Sequence, residues 1–423
     1  MSFHHNSRTF EPTRAAGLAR LSAFVPSAAQ AYASGRNSDH GPDQRRNVSV
    51  LSPYIRHRLI TEAEVLDAVL GRFSLGSAEK FVQEVYWRTY FKGHLETRPV
   101  IWQRYRAELA QLADAVGGRS GGLAKAYRTA TEGRTGIDCF DAWVEELLET
   151  GYLHNHARMW FASIWIFTLK LPWQLGADFT YRHFIDGDPA SNTLSWRWVA
   201  GLHTKGKTYL ARRDNIVGYT GGRFAPEGLA KEAIALDEPP MGGAQPLPAL
   251  PRAMPSGRVG LLLTEEDLHT DSMDFGHAEI VAVAAATAVT ERSPLDVSEL
   301  VTAFTEGALQ DEMARTSQRL GVLVDRLASL SSVSITDFCR AHRLDTVLMS
   351  YTPVGPVADE VARIVPALAQ GGIKLQQVRR PFDSAAWPHG TRGFFAMKER
   401  IPDLLAEAGI GGAADSGKQG RLF

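Results

Sequence analysis

The chain changes its pattern once, across residues 226–257, and that change divides the fold. This stretch, PEGLAKEAIALDEPPMGGAQPLPALPRAMPSG, is dense in Pro, Gly and Ala and has no sustained periodicity. Such density breaks both helix and strand, so the stretch reads as a linker. Ahead of it, ITEAEVLDAVLGRF, SAEKFVQEVYWRTYFKGHLE, FDAWVEELLETGYL and HNHARMWFASIWIFTLKL place apolar residues three and four apart, the period of a helix. No strand is expected there. Thr61 with Glu64 forms a capping-box pattern, and Ser77 reads as a second cap. Beyond the linker, GRVGLLLTE, LDTVLMSYTP and IKLQQVRR are short apolar runs that read as strands, and AEIVAVAAATAV admits strand or helix. ALQDEMARTSQRLGVLVDRLASL, SITDFCRAHR and VADEVARIVPALAQGG read as helices. Strands alternating with helices predict a parallel, doubly wound sheet, whose sites lie beyond the carboxyl ends of its strands, here near residues 265–267 and 351–354. The expected fold class is therefore α + α/β: a helical domain over residues 1–225, the linker at 226–257, a smaller Rossmann-like parallel-sheet domain over 258–410 and a disordered tail at 411–423.

The totals exclude several classes. Lys and Arg number 46 against 47 Asp and Glu, so no global charge argues for a polyanion partner. A local positive face remains open in Arg45, Arg46, Arg56, His57 and Arg58. Cys139 and Cys339 are the only cysteines, which points to a reducing compartment. They are too few for a four-cysteine iron–sulfur cluster or an all-cysteine zinc site built from one chain. The greasiest run, residues 159–175, contains Lys170, Pro172 and Gln174 and is too short to span a bilayer. The N-terminus lacks a signal-peptide core, so a cytoplasmic location is expected, without metal or membrane partner.

Residues 133–201 carry the chemistry. His154, Asn155, Arg158, Asp186, Asp188 and Asn192 lie in an apolar, tryptophan-rich segment. Burying polar groups is costly unless they meet one another or a polar ligand, which points to a bound cofactor. Arg158 is either a surface rib of its helix or a buried cation, for which Asp186 is the natural partner. Asp186, Gly187 and Asp188 alone describe an Asx-type turn. Trp173, Trp196 and Trp198 suit plain core, but also a redox centre or a stacking platform. The hydroxyls and amides of residues 47–54 suit either a helix cap or a phosphate. Residues 84–88, Glu-Val-Tyr-Trp-Arg, bring an acid, an aromatic and a cation onto one helix turn, in a solvated face or a site. No P-loop, Rossmann GxGxxG, GxSxG or HExxH motif occurs, which leaves buried-cofactor redox chemistry.

In this order, Tyr32 and Arg36, residues 49–54 (SVLSPY), 84–88 (EVYWR), 133–136 (GRTG), 150–155 (TGYLHN), Arg158-Met159, 185–188 (IDGD), Asn192 and Trp196-Arg197-Trp198 resemble the flavin-binding domain of the photolyase/cryptochrome family. The resemblance covers about residues 28–205. It implies FAD in the helical domain, held by Tyr32, Ser49, Val50, Leu51, Ser52, Arg88, Asn155, Arg158, Asp186, Gly187, Asp188 and Asn192. Asn192 matches the position facing flavin N5, where a turning carboxamide either accepts or donates. Glu84, Asn192, Trp173 and Trp196 are the implied catalytic set, the two tryptophans being the inner members of an electron-transfer chain. Its third member has no match, which leaves Trp165 or Tyr127 as another exit. Arg36, Trp87, His156, Met159 and Trp198 fall on the substrate side, with UV-damaged DNA as the partner, and Met159 favours cyclobutane dimers. The implied function is light-driven repair of cyclobutane pyrimidine dimers; the alternative is a cryptochrome-like sensory or redox flavoprotein without repair. The sequence departs from the family at Val48, at Arg58-Leu59 and at Thr193-Leu194-Ser195. The family's α/β antenna domain normally comes first, whereas residues 257–405 resemble it here, so the order looks circularly permuted. Whether a second, antenna chromophore binds there stays open, and a monomer is expected.

Overall fold

The computed structural model describes residues 9–118, 121–251 and 253–411; the tail beyond residue 411 lies outside them. Ahead of residue 257 all regular structure among the described residues is helical. Helix Glu62–Leu70 starts on the expected capping box: Thr61 Oγ1 accepts from the Glu64 amide at 3.2 Å, and Glu64 returns a carboxylate to the Thr61 amide at 2.8 Å. Thr61→Ala should cost about 1 kcal/mol, read as a lower urea midpoint. An unmoved midpoint would mean that the Arg14–Glu64 pair carries this helix start alone. The cap of helix Leu75–Glu96 is Ser74, whose hydroxyl accepts from the Ser77 amide. Ser77, where the sequence placed the cap, lies inside the helix, one turn past the residue that caps it.

Five parallel strands follow: β1 (Gly257–Leu263), β2 (Ala278–Ala285), β3 (Val324–Arg326), β4 (Thr346–Ser350) and β5 (Lys374–Val378). They are ordered β3-β2-β1-β4-β5, the doubly wound arrangement with its switch point between β1 and β4. The chain is thus α followed by α/β. The ambiguous run is strand β2. The long helical reading of residues 308–330 is corrected, since helix Glu299–Leu320 stops at the left-handed Gly321 (φ 68°) and β3 comes next. The described residues of 226–251 and 253–256 hold no helix or strand, and several of them are tied to the helical part as a fastened strap. Arg197 pairs with Glu238, the Leu236 amide donates to the Ala200 carbonyl at 3.0 Å, and the Gln245 amide donates to the Thr97 carbonyl at 2.7 Å.

The expected site beyond the strand ends is filled by protein. Thr264, Glu265, Glu266 and Asp267 are buried. Arg56 forks onto Glu266 at 2.8 and 2.9 Å. Arg58 meets Asp267 at 3.0 Å, Asp383 at 2.7 and 2.8 Å and Glu62 at 3.3 Å. His57 Nδ1 donates to the Glu265 carbonyl at 2.9 Å. Glu96, at the end of helix Leu75–Glu96, accepts from the Tyr351 hydroxyl and the Val354 amide at 2.6 Å each. Arg56, His57 and Arg58 therefore do not face a polyanion. They plug the sheet's carboxyl edge into the helical part, because a buried cation is tolerable only against paired acids. Farther along, a Cβ at Gly93 would lie 2.7 Å from the Trp387 carbonyl, so this close approach of the C-terminal segment to helix Leu75–Glu96 requires glycine.

Among the described residues no helix is long and apolar enough to cross a membrane, and no group of three or more His, Cys, Asp or Glu is placed to hold a metal ion.

Candidate flavin site

A cavity of about 450 Å³, within the usual range for ligand pockets, opens between helices Leu75–Glu96, Asn155–Ser163, Trp173–His183 and Pro189–Val199 and residues 48–52. Helix Leu75–Glu96 contributes Glu84 and Arg88 one turn apart on one face. Lys92 continues the stripe behind the cavity wall. Asp188 caps helix Pro189–Val199, accepting from the Ser191 amide at 2.7 Å. Its other oxygen lies 3.6 Å from Arg88 Nη1 and 3.8 Å from Lys92 Nζ. Burial opposes ionisation of Asp188, but Lys92, Arg88 and Arg56 outweigh it and hold the carboxyl well below its ordinary value.

Arg158 and Asp186 are paired through one bond of 2.9 Å, while Arg158 Nε donates to the Leu153 carbonyl. The guanidinium also lies 3.9 Å from the Phe184 ring centre. Gly187 between the two aspartates has no room for a side chain: a Cβ there would lie 2.9 Å from the carbonyls of Tyr181 and Phe184. Its own carbonyl accepts from Arg56 Nε at 2.7 Å, which ties this wall to the Arg56–Glu266 pair. On the facing wall Val50, a β-branched residue, sits at φ 51°. That conformation costs about 1–3 kcal/mol and persists only where its surroundings impose it.

The donor set fits a polar, phosphate-bearing ligand. Asp186 Oδ1, Asp188 Oδ2, Arg88 Nη1 and Ser191 Oγ are buried without hydrogen-bond partners, and all four residues line the cavity. Such orphaned atoms cost about 1–3 kcal/mol each unless a ligand meets them. Ser49 and Ser52 lie on the same wall beside apolar Phe81, Val85 and Ala162, so one cavity offers hydroxyls, both charges and a greasy surface.

Of the sequence candidates, Tyr32, Ser49, Val50, Ser52, Glu84, Trp87, Arg88, Asn155, Arg158, Met159, Asp186, Gly187, Asp188, Asn192, Trp196 and Trp198 line this cavity. Four do not. Leu51 is core. His156 is turned away, its Nδ1 donating to the Asn37 carbonyl at 2.7 Å. Arg36 bonds the Ala33 carbonyl and acts on the cavity through its charge on Tyr32 and Glu84. Trp173 lies on a separate groove with Lys170 and Lys231, stacked on Tyr105 at 5.6 Å. Glu84 is exposed on the cavity wall, and desolvation within that recess raises its pKa against the lowering pull of Arg36 and Lys80.

Asn192 is not free to turn. Its Nδ2 donates to the Ala177 carbonyl at 2.8 Å and its Oδ1 lies 2.9 Å from the Thr180 hydroxyl, which also accepts from Trp196 Nε1 at 3.0 Å. A flipped amide would set oxygen against the Ala177 carbonyl oxygen. Sequence reasoning missed Thr180 and Lys92. Lys92 was legible as the next i+4 position after Glu84 and Arg88, whereas Thr180 gave no local signal.

Residues 81–228 match the family model described as the FAD binding domain of DNA photolyase. A deoxyribodipyrimidine photo-lyase of Streptomyces griseus is 32% identical over 208 residues, covering 45% of this chain and 42% of that protein. One from Thermus thermophilus is 32% identical over 226 residues, covering 52% of this chain and 49% of that protein. The chain spans about half the length, or less, of these curated relatives. The crystal structure of a bacterial class III photolyase from Agrobacterium tumefaciens aligns with a TM-score of 0.41 at 25% identity, over 49% of this chain and 43% of that one. Residues 81–228, within the helical part of this chain, are thus similar to the FAD binding domain of DNA photolyase.

Proposed function

We propose that the protein is a light-driven, flavin-dependent enzyme that repairs cyclobutane pyrimidine dimers in DNA. The observation that carries this reading is one cavity lined by Asp186, Asp188 and Arg88, each with one buried polar atom that has no hydrogen-bond partner, and by Glu84, Trp87, Met159 and Trp198. FAD, when bound, supplies a light-excitable electron donor. Tyr32, Ser49, Val50 and Ser52 hold its phosphate side, while Arg88, Asn155, Arg158, Asp186, Gly187, Asp188 and Asn192 hold the rest. Asn192, fixed by Thr180 and Ala177, presents a single orientation and so favours one protonation state of its neighbour. Trp87, Met159 and Trp198 offer apolar surface to a dimer flipped out of the duplex. Glu84 lines the same space, and its carboxyl, when protonated, donates a hydrogen bond to a pyrimidine carbonyl.

One observation favours the rival reading, a cryptochrome-like sensory or redox flavoprotein. Phe394 stacks on Trp87 with ring centres 3.8 Å apart and planes 12° apart, taking up one face of an indole that a base would use. The deciding assay is light-dependent loss of dimers from an irradiated oligonucleotide by the FAD-loaded, chemically reduced protein. Repair supports the enzyme, and its absence with FAD fully bound supports the rival. Asp186→Asn should weaken FAD binding about tenfold or more by removing a charge-assisted contact. Fluorescence titration reads this, and unchanged affinity would take Asp186 out of the binding set.

The α/β part is read as the counterpart of the family's antenna domain in exchanged order, supported by its parallel β3-β2-β1-β4-β5 sheet. No second chromophore is proposed for its switch-point crevice, because Arg56, Glu266, Glu96 and Tyr351 fill it.

A further inference from the structure

Trp196 lines the flavin cavity, and its tryptophan ring contact is Trp165 rather than Trp173. Its ring centre is 6.2 Å from that of Trp165, at 88° between planes. Trp165 is in turn 6.1 Å from Tyr127, at 82°. Trp173 packs instead on Tyr105, with the Arg197 guanidinium 5.8 Å from its ring centre.

The Trp196–Trp165 contact is built in by backbone. Gly176 lies inside helix Trp173–His183, where glycine is unfavourable, yet a Cβ there would run into the Trp196 ring and lie 2.8 Å from Trp165 Nε1. Trp165 itself sits on the π-helical turn Ile164–Thr168, an uncommon widening of the helix. Its indole N–H donates to the Pro172 carbonyl at 3.0 Å, and it is wholly buried among Phe140, Phe161 and Phe179. The accepting carbonyl favours positive charge on this indole, whereas the Arg197 cation beside Trp173 is already neutralised by Glu238 and offers no such help there. Tyr127 ends the chain as a buried residue with 7% of its surface exposed, its phenol oxygen accepting from Arg182 at 3.0 Å. Arg182 is itself balanced by Asp178 at 3.3 Å.

We propose that Trp196, Trp165 and Tyr127 form the relay that carries electrons from the surface to the flavin pocket. This rests on the flavin reading above. Trp196 yields one electron to a photo-excited oxidised flavin and becomes a radical cation. Trp165 returns one electron to Trp196, and Tyr127 returns one to Trp165 while its phenolic proton passes to water. An external thiol then supplies one electron and one proton to Tyr127 and becomes a thiyl radical, so that the net change is one electron moved from thiol to flavin and one proton from thiol to water.

The test uses the full chain loaded with FAD, under blue light, without oxygen and with a thiol present. Loss of the oxidised-flavin absorption gives the photoreduction rate, transient absorption gives the identity of the surface radical, and fluorescence titration gives FAD affinity. Trp165→Phe and Tyr127→Phe should each slow photoreduction by about tenfold or more, and Trp173→Phe should slow it less than Trp165→Phe. A tyrosyl radical should appear in the parent protein and vanish in Tyr127→Phe, a variant that removes only a hydroxyl. If Trp173→Phe slows the reaction as much as Trp165→Phe, or if Tyr127→Phe keeps the parent rate and radical, the relay is overturned. If the parent chain binds no FAD, the flavin reading itself fails and the relay falls with it.

Discussion

Replacing Arg58 with methionine should lower the unfolding free energy by about 3–5 kcal/mol, the largest single loss expected in the molecule. Arg58 is 3% exposed and is bonded to three acids: Asp267, Asp383 and Glu62. Asp267 keeps Arg380 at 2.7 Å after the change, but Asp383 and Glu62 lose their hydrogen-bonded cation. Removing one side of a buried pair leaves a desolvated charge behind, which is why the cost exceeds the net worth of the pair. Arg58 also sits at φ 51°, an unfavourable backbone state that its side-chain network helps hold. Burial already raises the Asp383 carboxyl against the lowering pull of Arg58, so without Arg58 it takes up a proton more readily. The loss should therefore shrink on going from about pH 8 to about pH 5, where protonation removes the orphaned charge. Urea unfolding at the two pH values measures this. A loss below about 1 kcal/mol, the scale of a surface pair, would show that the joint between the two parts is not held by this network.

That joint marks where sequence reading stops. The sequence shows Arg56, His57 and Arg58 as a basic cluster, and local pattern cannot say that residues 265–267 and 383 will arrive to neutralise it. Strand β3 is hidden for a similar reason. Val324–Arg326 is three residues long, and its apolar spacing continues that of the preceding helix, so only Gly321 marks the break. The Ser74/Ser77 error is one helical turn, because two serines three apart carry the same capping pattern. What was legible rests on short-range regularity. Glu84 and Arg88 share a helix face by spacing alone, and Arg158 and Asp186 pair because a half-buried cation among so many indoles had few other partners. The helical and α/β halves were legible from period, and the filling of the strand-end crevice was not. Trp173 shows the limit most clearly: its place in sequence suggested a redox role, but which indole touches Trp196 is set by the missing Cβ of Gly176 and by the π turn at Trp165.

The joint also carries a group that should make stability depend on pH. Glu265 is fully buried at the end of β1; its Oε1 accepts from the Ala288 amide at 2.9 Å, and its Oε2 has no hydrogen-bond partner. Burial first, and then the charge of Glu266, push its carboxyl from 4.5 up to about 7. Below about pH 4.5 both folded and unfolded chains hold this proton, and its contribution to stability is complete. As pH rises from there to about 7 the unfolded chain releases the proton while the folded chain keeps it, so stability falls; above about 7 no further change follows. The whole loss is on the order of 3 kcal/mol. Glu265→Gln keeps an oxygen for the Ala288 amide and cannot ionise, so its stability profile should be flatter over this window by about that amount. Replacement by an amide leaves a donor where Oε2 was, which lowers the variant's stability by a roughly constant amount at every pH without restoring a slope. Unfolding free energies of parent and variant between about pH 4.5 and about pH 8 give the comparison. Parallel profiles would mean that Glu265 ionises in the folded protein as it does in water, and that a cation, with Arg292 the nearest candidate, meets it at the joint.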